Sequence, residues 1–301
     1  MAATTLADHD DYRITLHQRG EALTDRIVIT FGGQPSDLAA EGFGTSFIKG
    51  LGYDTIYVAQ RHGTQFQGLA VDAFFDAVAS TCADRDVVCY GSSLGAYAAL
   101  YYGGSIDARI IAGAPMLPAW RPLGHKKYAD LAIMHVNLAD TPLSSKSPVV
   151  IYDSMRKQDA QVVDEMVLPA YPSARLVKVP HGGHTVLATL SEALILKPLI
   201  ISIIEHDQVM SFDLPAEGTA TWHAERAQTI AQSDPITAIA EFEKSLTIKP
   251  KSQPFCQLLN VLVRQGDLTE VQKRIDAARD QPTLKIVPHL KQKLEALGLQ
   301  I

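Results

Sequence analysis

One serine held between two glycines carries the most chemistry in this chain: Gly91–Ser92–Ser93–Leu94–Gly95. A β-branched apolar run, 86–90, precedes it, and an Ala- and Leu-rich stretch, 96–102, follows. Strand, tight turn and helix in that order form the G-x-S-x-G nucleophile elbow. The turn is strained and leaves little room beside the serine, a need that glycine at 91 and 95 meets. It lifts one hydroxyl above a sheet, at the N-terminus of a helix. There the helix dipole and a free backbone N–H can face a developing oxyanion. The chemistry this predicts is nucleophilic attack by Ser93 on an acyl carbonyl. Ser92 occupies the variable position of the pattern.

A serine hydroxyl needs a base to attack at neutral pH. On such an elbow the partners follow in the chain order Ser, Asp or Glu, His. Downstream stands Pro180–His181–Gly182–Gly183–His184, after a predicted strand at 175–179. His184, following the glycine pair and opening a helix, is the expected base, with His181 the alternate. The two histidines could suggest a metal pair, but no third and fourth ligand stand at suitable spacing, so no metal is expected. A buried carboxylate must hold the imidazole in its working tautomer. Asp153 and Asp159 both follow a strand at 149–152. Asp159 lies further into the connection, where a side chain can reach back to the histidine, and is preferred over Asp153.

Two donors are needed for the oxyanion. One is the amide of Leu94, just after the nucleophile; the other comes from the loop after an early strand. Phe31–Gly32–Gly33–Gln34 ends such a strand, so the amide of Gly33 or Gln34 is the second candidate. Loops at the same sheet edge bring Gln60, Arg61, His62, Gln67 and Trp120 forward as candidate substrate-binding residues. Arg61 would matter for an anionic substrate. No cofactor is implied.

These residues need a scaffold. The first two thirds of the chain alternate β-branched runs with helical patterns, which predicts a doubly wound, mostly parallel α/β sheet. The predicted strands are 12–17, 26–31, 55–59, 87–90, 109–112, 149–152 and 175–179, mostly continuous apolar runs of the kind covered on both faces. Predicted helices lie at 69–82, 94–102, 160–170 and 186–205. The texture changes at 211–218, read as a linker between a domain at 1–210 and a small all-α domain at 219–301. The latter shows helical patterns at 221–232, 235–247, 253–265, 268–278 and 288–297. Ala238, Phe242 and Ser245 recur as Val271, Ile275 and Ala278, 33 positions later. That offset resembles the tetratricopeptide pattern. Two units are fewer than a free array needs, so this tail is expected to dock on the main domain, a protein partner or a second copy.

Composition limits the alternatives. The chain has 301 residues, 47% of them hydrophobic and 20% charged, enough for a substantial core. Its formal net charge is −6 and it has no long basic run, which argues against nucleic-acid binding. Three cysteines, Cys82, Cys89 and Cys256, show no disulfide spacing and fit a reducing cytoplasm. No secretory signal is visible, and the most apolar stretch, 193–204, is too short and too interrupted to span a membrane.

With Gly91–Ser93–Gly95, Asp159 and His184 each following a strand in that order, residues 12–207 resemble the α/β-hydrolase superfamily. The resemblance implies esterase, lipase, thioesterase or related acyl transfer on a small-molecule or glycan-linked ester, without selecting among them. No HGGG-type oxyanion segment is present, and the stretch before residue 149 is too short for a large lid domain. The helical tail lies outside the usual fold. Elbow and tail together resemble bacterial hydrolase-type proteins with helical repeats, some linked to surface polysaccharide. The expected function is therefore a serine hydrolase acting through a Ser-His-Asp triad. The alternative is a non-catalytic interaction or assembly protein that uses the helical tail and keeps a vestigial hydrolase domain.

Overall fold

The computed structural model describes residues 3–20, 24–214 and 218–301. The chain divides into two compact units. The first runs to Pro180 and adds His184–Leu187 and Pro198–Met210; the second comprises His181–Gly183, Ala188–Lys197 and Ser211–Ile301.

Among the described residues eight strands build the first unit: β1 Ala3–Asp8, β2 Tyr12–His17, β3 Arg26–Phe31, β4 Asp54–Gln60, β5 Asp86–Ser92, β6 Arg109–Gly113, β7 Val149–Tyr152 and β8 Arg175–Lys178. They form one sheet in the order β1-β2-β4-β3-β5-β6-β7-β8. The β1–β2 and β2–β4 pairings are antiparallel, and all the others are parallel. This is an α/β architecture with a mostly parallel sheet. The central strands are continuous apolar runs because both faces are covered; β4 is buried at every position.

Helices α1 Thr45–Leu51, α2 Val71–Cys82 and α3 Leu94–Gly103 lie in the connections from β3 to β4, β4 to β5 and β5 to β6. Every residue of α3 is buried. Its Ala- and Tyr-rich sequence is apolar all round, as a helix enclosed on all sides requires. After β7 the chain forms α4 Lys157–Val162, a π-helical turn Val163–Val167 and α5 Leu168–Ala170. After β8 come α6 Val186–Glu192 and α7 Leu196–His206.

Helix α1 has no counterpart in the sequence expectation, and two further features differ from it. Strand β1 was not foreseen, because this edge strand is exposed or half-buried throughout and carries no buried apolar alternation. The single helix expected over 186–205 is two helices bent by 110°. Leu194 takes a left-handed φ of 60° at the break, and Pro198 stands in the first turn of α7, where proline is tolerated. Leu199, Ile200, Ile203 and Ile204 of α7 are buried in the first unit. Among the described residues no single helix is long and apolar enough to cross a membrane.

The topology positions the site. Strand β3 lies between β4 and β5, so the chain leaves it first toward one edge and then toward the other. A crevice opens at such a switch point, outside the carboxyl ends of the strands. Phe31 at the end of β3 and Ser93 just past the end of β5 both border it.

The second unit includes α8 Ala220–Ile230, α9 Pro235–Ile248, α10 Ser252–Gln265, α11 Leu268–Ala278 and α12 Pro288–Ala296. Side chains of Thr219, Asp234 and Asp267 cap three of these helices by accepting from the amides of Trp222, Thr237 and Glu270. Its core gathers Phe242, Phe255, Leu259, Val271 and Ile275. Within it a buried hydrogen bond joins His223 Nδ1 and Glu241 Oε2 at 2.5 Å.

Candidate active site

Ser93 has φ 54° and ψ −120°, a backbone state that costs a non-glycine residue of order 1–3 kcal/mol. The surrounding backbone enforces it. The Ser93 amide donates to the Gly113 carbonyl at 2.8 Å, and its own carbonyl accepts from Ala96, Tyr97 and Met116 at 3.0–3.1 Å. The flanking glycines are required by close approach. A Cβ on Gly91 would stand 2.0 Å from the Gly95 carbonyl oxygen, and one on Gly95 would stand 2.4 Å from that of Phe31.

The hydroxyl held out by this turn meets a histidine. Ser93 Oγ lies 2.7 Å from His184 Nε2, and His184 Nδ1 lies 3.0 Å from Asp159 Oδ1. A carboxylate only accepts, so Nδ1–H donates to Asp159 and Nε2 is left to accept from Ser93. Asp159 sits in the first turn of α4 with its side chain fully buried, while His184 is 28% exposed. Arg156 Nε stands 3.4 Å from the same carboxylate oxygen. The second oxygen, Oδ2, is buried without a hydrogen-bond partner among the described residues. A carboxylate left so poorly solvated gains more from a positive charge on His184 than a hydrated one would.

The alternates have other contacts. Asp153 is buried at the end of β7 and accepts from the Met155 amide at 2.8 Å, closing the turn into the α4 connection. His181 belongs to the second unit, where its ring meets Trp222 edge-on at 5.7 Å.

Around the hydroxyl, Leu94 opens α3, so its N–H has no intrahelical acceptor. The Gly32–Gln34 loop is brought alongside, with the Cβ position of Gly33 3.9 Å from the Ser92 carbonyl oxygen. Gln60, fully buried, donates from Nε2 to the Gly33 carbonyl at 3.4 Å and accepts from Thr64 Oγ1. It therefore braces the glycine loop. Gln34 is itself held by the Tyr128 hydroxyl at 3.2 Å.

The remaining candidate binding residues divide by what they touch. Arg61 is paired with Asp11 at 2.6 Å, and His62 is exposed in the following turn. Gln67 is buried, and its Oε1 accepts from the amides of Met134 and His135 at 2.8 and 3.0 Å, anchoring that loop. Trp120 lines a cavity of about 310 Å³ with Tyr97, Leu117, His135, Leu138 and Met166. Among the described residues no three or more His, Cys, Asp or Glu side chains gather to hold a metal ion.

His135 and Tyr97 carry no motif in the sequence that singles them out. The Tyr97 hydroxyl is 2.8 Å from His135 Nδ1, and His135 Nε2 is 2.9 Å from the Phe66 carbonyl. A carbonyl only accepts, so Nε2 carries the proton and Tyr97 donates to Nδ1. The ring also stacks on Tyr101 at 4.0 Å. Burial pushes the His135 imidazole down to about 4 from an ordinary 6.5, against the pull of the Phe66 and Leu69 carbonyls. Between these values the unfolded chain binds a proton that the folded chain does not. Folding stability therefore falls as pH drops below about 6.5, until the folded-state value is reached. Thermal melts between about pH 7 and pH 5 should show a steeper decline for the wild type than for His135→Gln. Equal slopes would contradict the neutral, buried assignment.

No family model matches the chain, and no curated protein matches it in sequence. Solved structures with a similar trace include an α/β serine hydrolase without lid from Xanthomonas campestris, at 18% identity and TM-score 0.45, covering 70% of this chain and 96% of that one. Another is a glycosylation-associated protein complex, Gap123, from Streptococcus agalactiae, at 15% identity and TM-score 0.46. The match covers 69% of this chain and 48% of that one. A third is Est1E from Butyrivibrio proteoclasticus, at 14% identity and TM-score 0.42, covering 67% of this chain and 98% of that one.

Proposed function

We propose that this chain is a serine hydrolase that cleaves a carboxylic ester, or a related acyl bond, through an acyl-enzyme on Ser93. The observation that carries this reading is the unbroken relay from Ser93 Oγ to His184 Nε2 and from His184 Nδ1 to Asp159 Oδ1. His184 takes the hydroxyl proton as Oγ bonds to the carbonyl carbon. The amide of Leu94 and an amide of the Gly33–Gln34 loop stabilise the tetrahedral oxyanion. His184 then gives its proton to the leaving alcohol, and the acyl group stays on Oγ. Water, deprotonated by His184, reverses the sequence and releases the carboxylic acid. Asp159 holds the tautomer and stabilises the imidazolium in both halves.

Asp159→Asn tests the relay. The amide preserves shape but can donate to Nδ1, which favours the tautomer with its proton on Nε2, where it cannot accept from Ser93. On p-nitrophenyl acetate and butyrate kcat is expected to fall by about 10³–10⁴-fold. Asp153→Asn should stay within about tenfold of the wild type. The reverse ranking would move the acid to Asp153.

The second unit is proposed as two helix pairs of tetratricopeptide type. Ala238, Phe242 and Ser245 on α9 and Val271, Ile275 and Ala278 on α11 are all buried, as the shared offset requires.

A further inference from the structure

Positive charge gathers in the segment that follows β6. Arg121, Lys126 and Lys127 stand close together in sequence, with Asp130 just beyond them. All three cations are exposed, and so is Lys157 at the start of α4. None of the four forms an ion pair among the described residues; Lys127 lies over the Tyr128 ring at 5.3 Å instead. Elsewhere in the first unit most cations are neutralised. Arg13, Arg26, Lys49, Arg85, Arg109 and Arg175 each meet a carboxylate. Arg61, the cation expected to greet an anionic substrate, is paired too, with Asp11.

Two sets of contacts anchor this segment on opposite flanks of the serine. The Tyr128 hydroxyl donates to Gln34 Oε1 at 3.2 Å, in the loop after β3 that supplies a candidate oxyanion amide. Gln161 Nε2 donates to the Pro122 carbonyl at 3.4 Å, and Gln158 Nε2 stands 3.5 Å from His125 Nε2. Both glutamines belong to α4, the helix that holds Asp159. In the sheet, β3 stands on one side of β5; β6 and then β7, which leads into α4, stand on the other. Neighbouring strands lie about 4.8 Å apart, so β3 and β7 are separated by roughly 14 Å. Residues 122–128 therefore cross the carboxyl edge of the sheet at β5 and β6, and Ser93 stands just past the end of β5. Ser93 and His184 are both partly exposed, so a substrate that reaches them passes beside this crossing.

From this placement we infer that the crossing segment selects substrate by charge. Arg121, Lys126, Lys127 and, from α4, Lys157 are specificity-determining residues for esters that carry a negative charge beside the scissile bond. The inference rests on Ser93 being the nucleophile. Unpaired cations held close together repel one another, and a bound anion relieves that repulsion. The chain as a whole is acidic, with a formal net charge of −6, so most of its surface repels the same ligand. A local positive rim at the site raises the concentration of an anionic ester there and speeds its capture. Asp130 offsets only part of that charge.

The test is kcat/KM on two matched pairs of esters, with fluorophosphonate labelling of Ser93 run in parallel. One pair, 4-nitrophenyl hydrogen adipate and its methyl ester, differs in charge on the acyl side. The other, 4-acetoxybenzoate and its methyl ester, differs on the leaving side. At low salt the anion should be favoured over its neutral mate by about tenfold in at least one pair, and that pair names the side. At about 0.5 M salt the preference should shrink to about threefold or less, as screening cuts the reach of charge to roughly 4 Å. Lys126→Glu combined with Lys127→Glu changes two exposed side chains and should bring the ratio to about one or below. Lys146→Glu, just before β7 at the opposite edge of the sheet, should leave the ratio as in the wild type. Ratios near one in both pairs, or a ratio that the double variant does not lower, with Ser93 still labelled, overturn the charge selection and leave the nucleophile standing. Absence of both hydrolysis and labelling in the wild type removes the nucleophile, and the charge selection with it.

Discussion

Ser93→Ala is expected to lower kcat/KM for p-nitrophenyl esters by about 10⁴–10⁶-fold, the range for loss of a triad nucleophile. The fold should survive, because the turn around residue 93 is held by backbone hydrogen bonds that alanine keeps. Ser93→Gly should be equally inactive but more stable than the wild type. Glycine occupies φ 54°, ψ −120° without the Cβ penalty, which amounts to about 1 kcal/mol or more. A rise of about 2–4 °C in Tm, alongside total loss of activity, would mark strain kept for function. A glycine variant no more stable than Ser93→Ala would mean the turn stores none.

The second large effect is steric. In Gly91→Ala the new methyl would lie 2.0 Å from the Gly95 carbonyl oxygen and 2.5 Å from the Ala96 nitrogen. Both are backbone atoms in the first turn of α3, a helix with no exposed residue. They cannot yield without moving the helix against β5, so the loss should be about 3 kcal/mol or more, at the upper end for overpacking. Chemical denaturation of the two proteins measures it. A loss under about 1 kcal/mol would show that the elbow can relax. Whatever folded protein remains should also lose most esterase activity, because a shift of one ångström misplaces the hydroxyl relative to His184.

The elbow and the wound sheet are legible in the sequence because both are local patterns. Continuous β-branched runs mark strands covered on both faces, and Gly91 and Gly95 announce a turn that no larger residue fits. Asp159 and His184 are nominated by chain order after their strands, though order alone leaves Asp153 and His181 in contention. What distinguishes them is three-dimensional: Asp153 accepts from the Met155 amide, and Asp159 faces His184.

Long-range polar pairing was out of reach. Gln60 and Gln67 read as binding residues because they are polar side chains in loops near the site. Yet each is buried and bonded to backbone, one bracing the Gly33 loop and the other the loop at Met134–His135. Arg61 finds Asp11 fifty positions away, and His135 finds Tyr97 at thirty-eight; no local pattern encodes either contact. Strand β1 escaped notice because an exposed edge strand has no core face to pattern. The break between α6 and α7 escaped it because Leu194, a good helix former, takes a left-handed backbone there.

Incubation of the 301-residue chain with a fluorophosphonate probe, followed by peptide mapping of the adduct, addresses the nucleophile without knowledge of the natural substrate. A single adduct on Ser93, formed in the wild type and slowed by His184→Ala, is the expected result. No adduct, or one on Ser92 or another serine with Ser93 unmodified, would contradict the assignment of Ser93 as the attacking group.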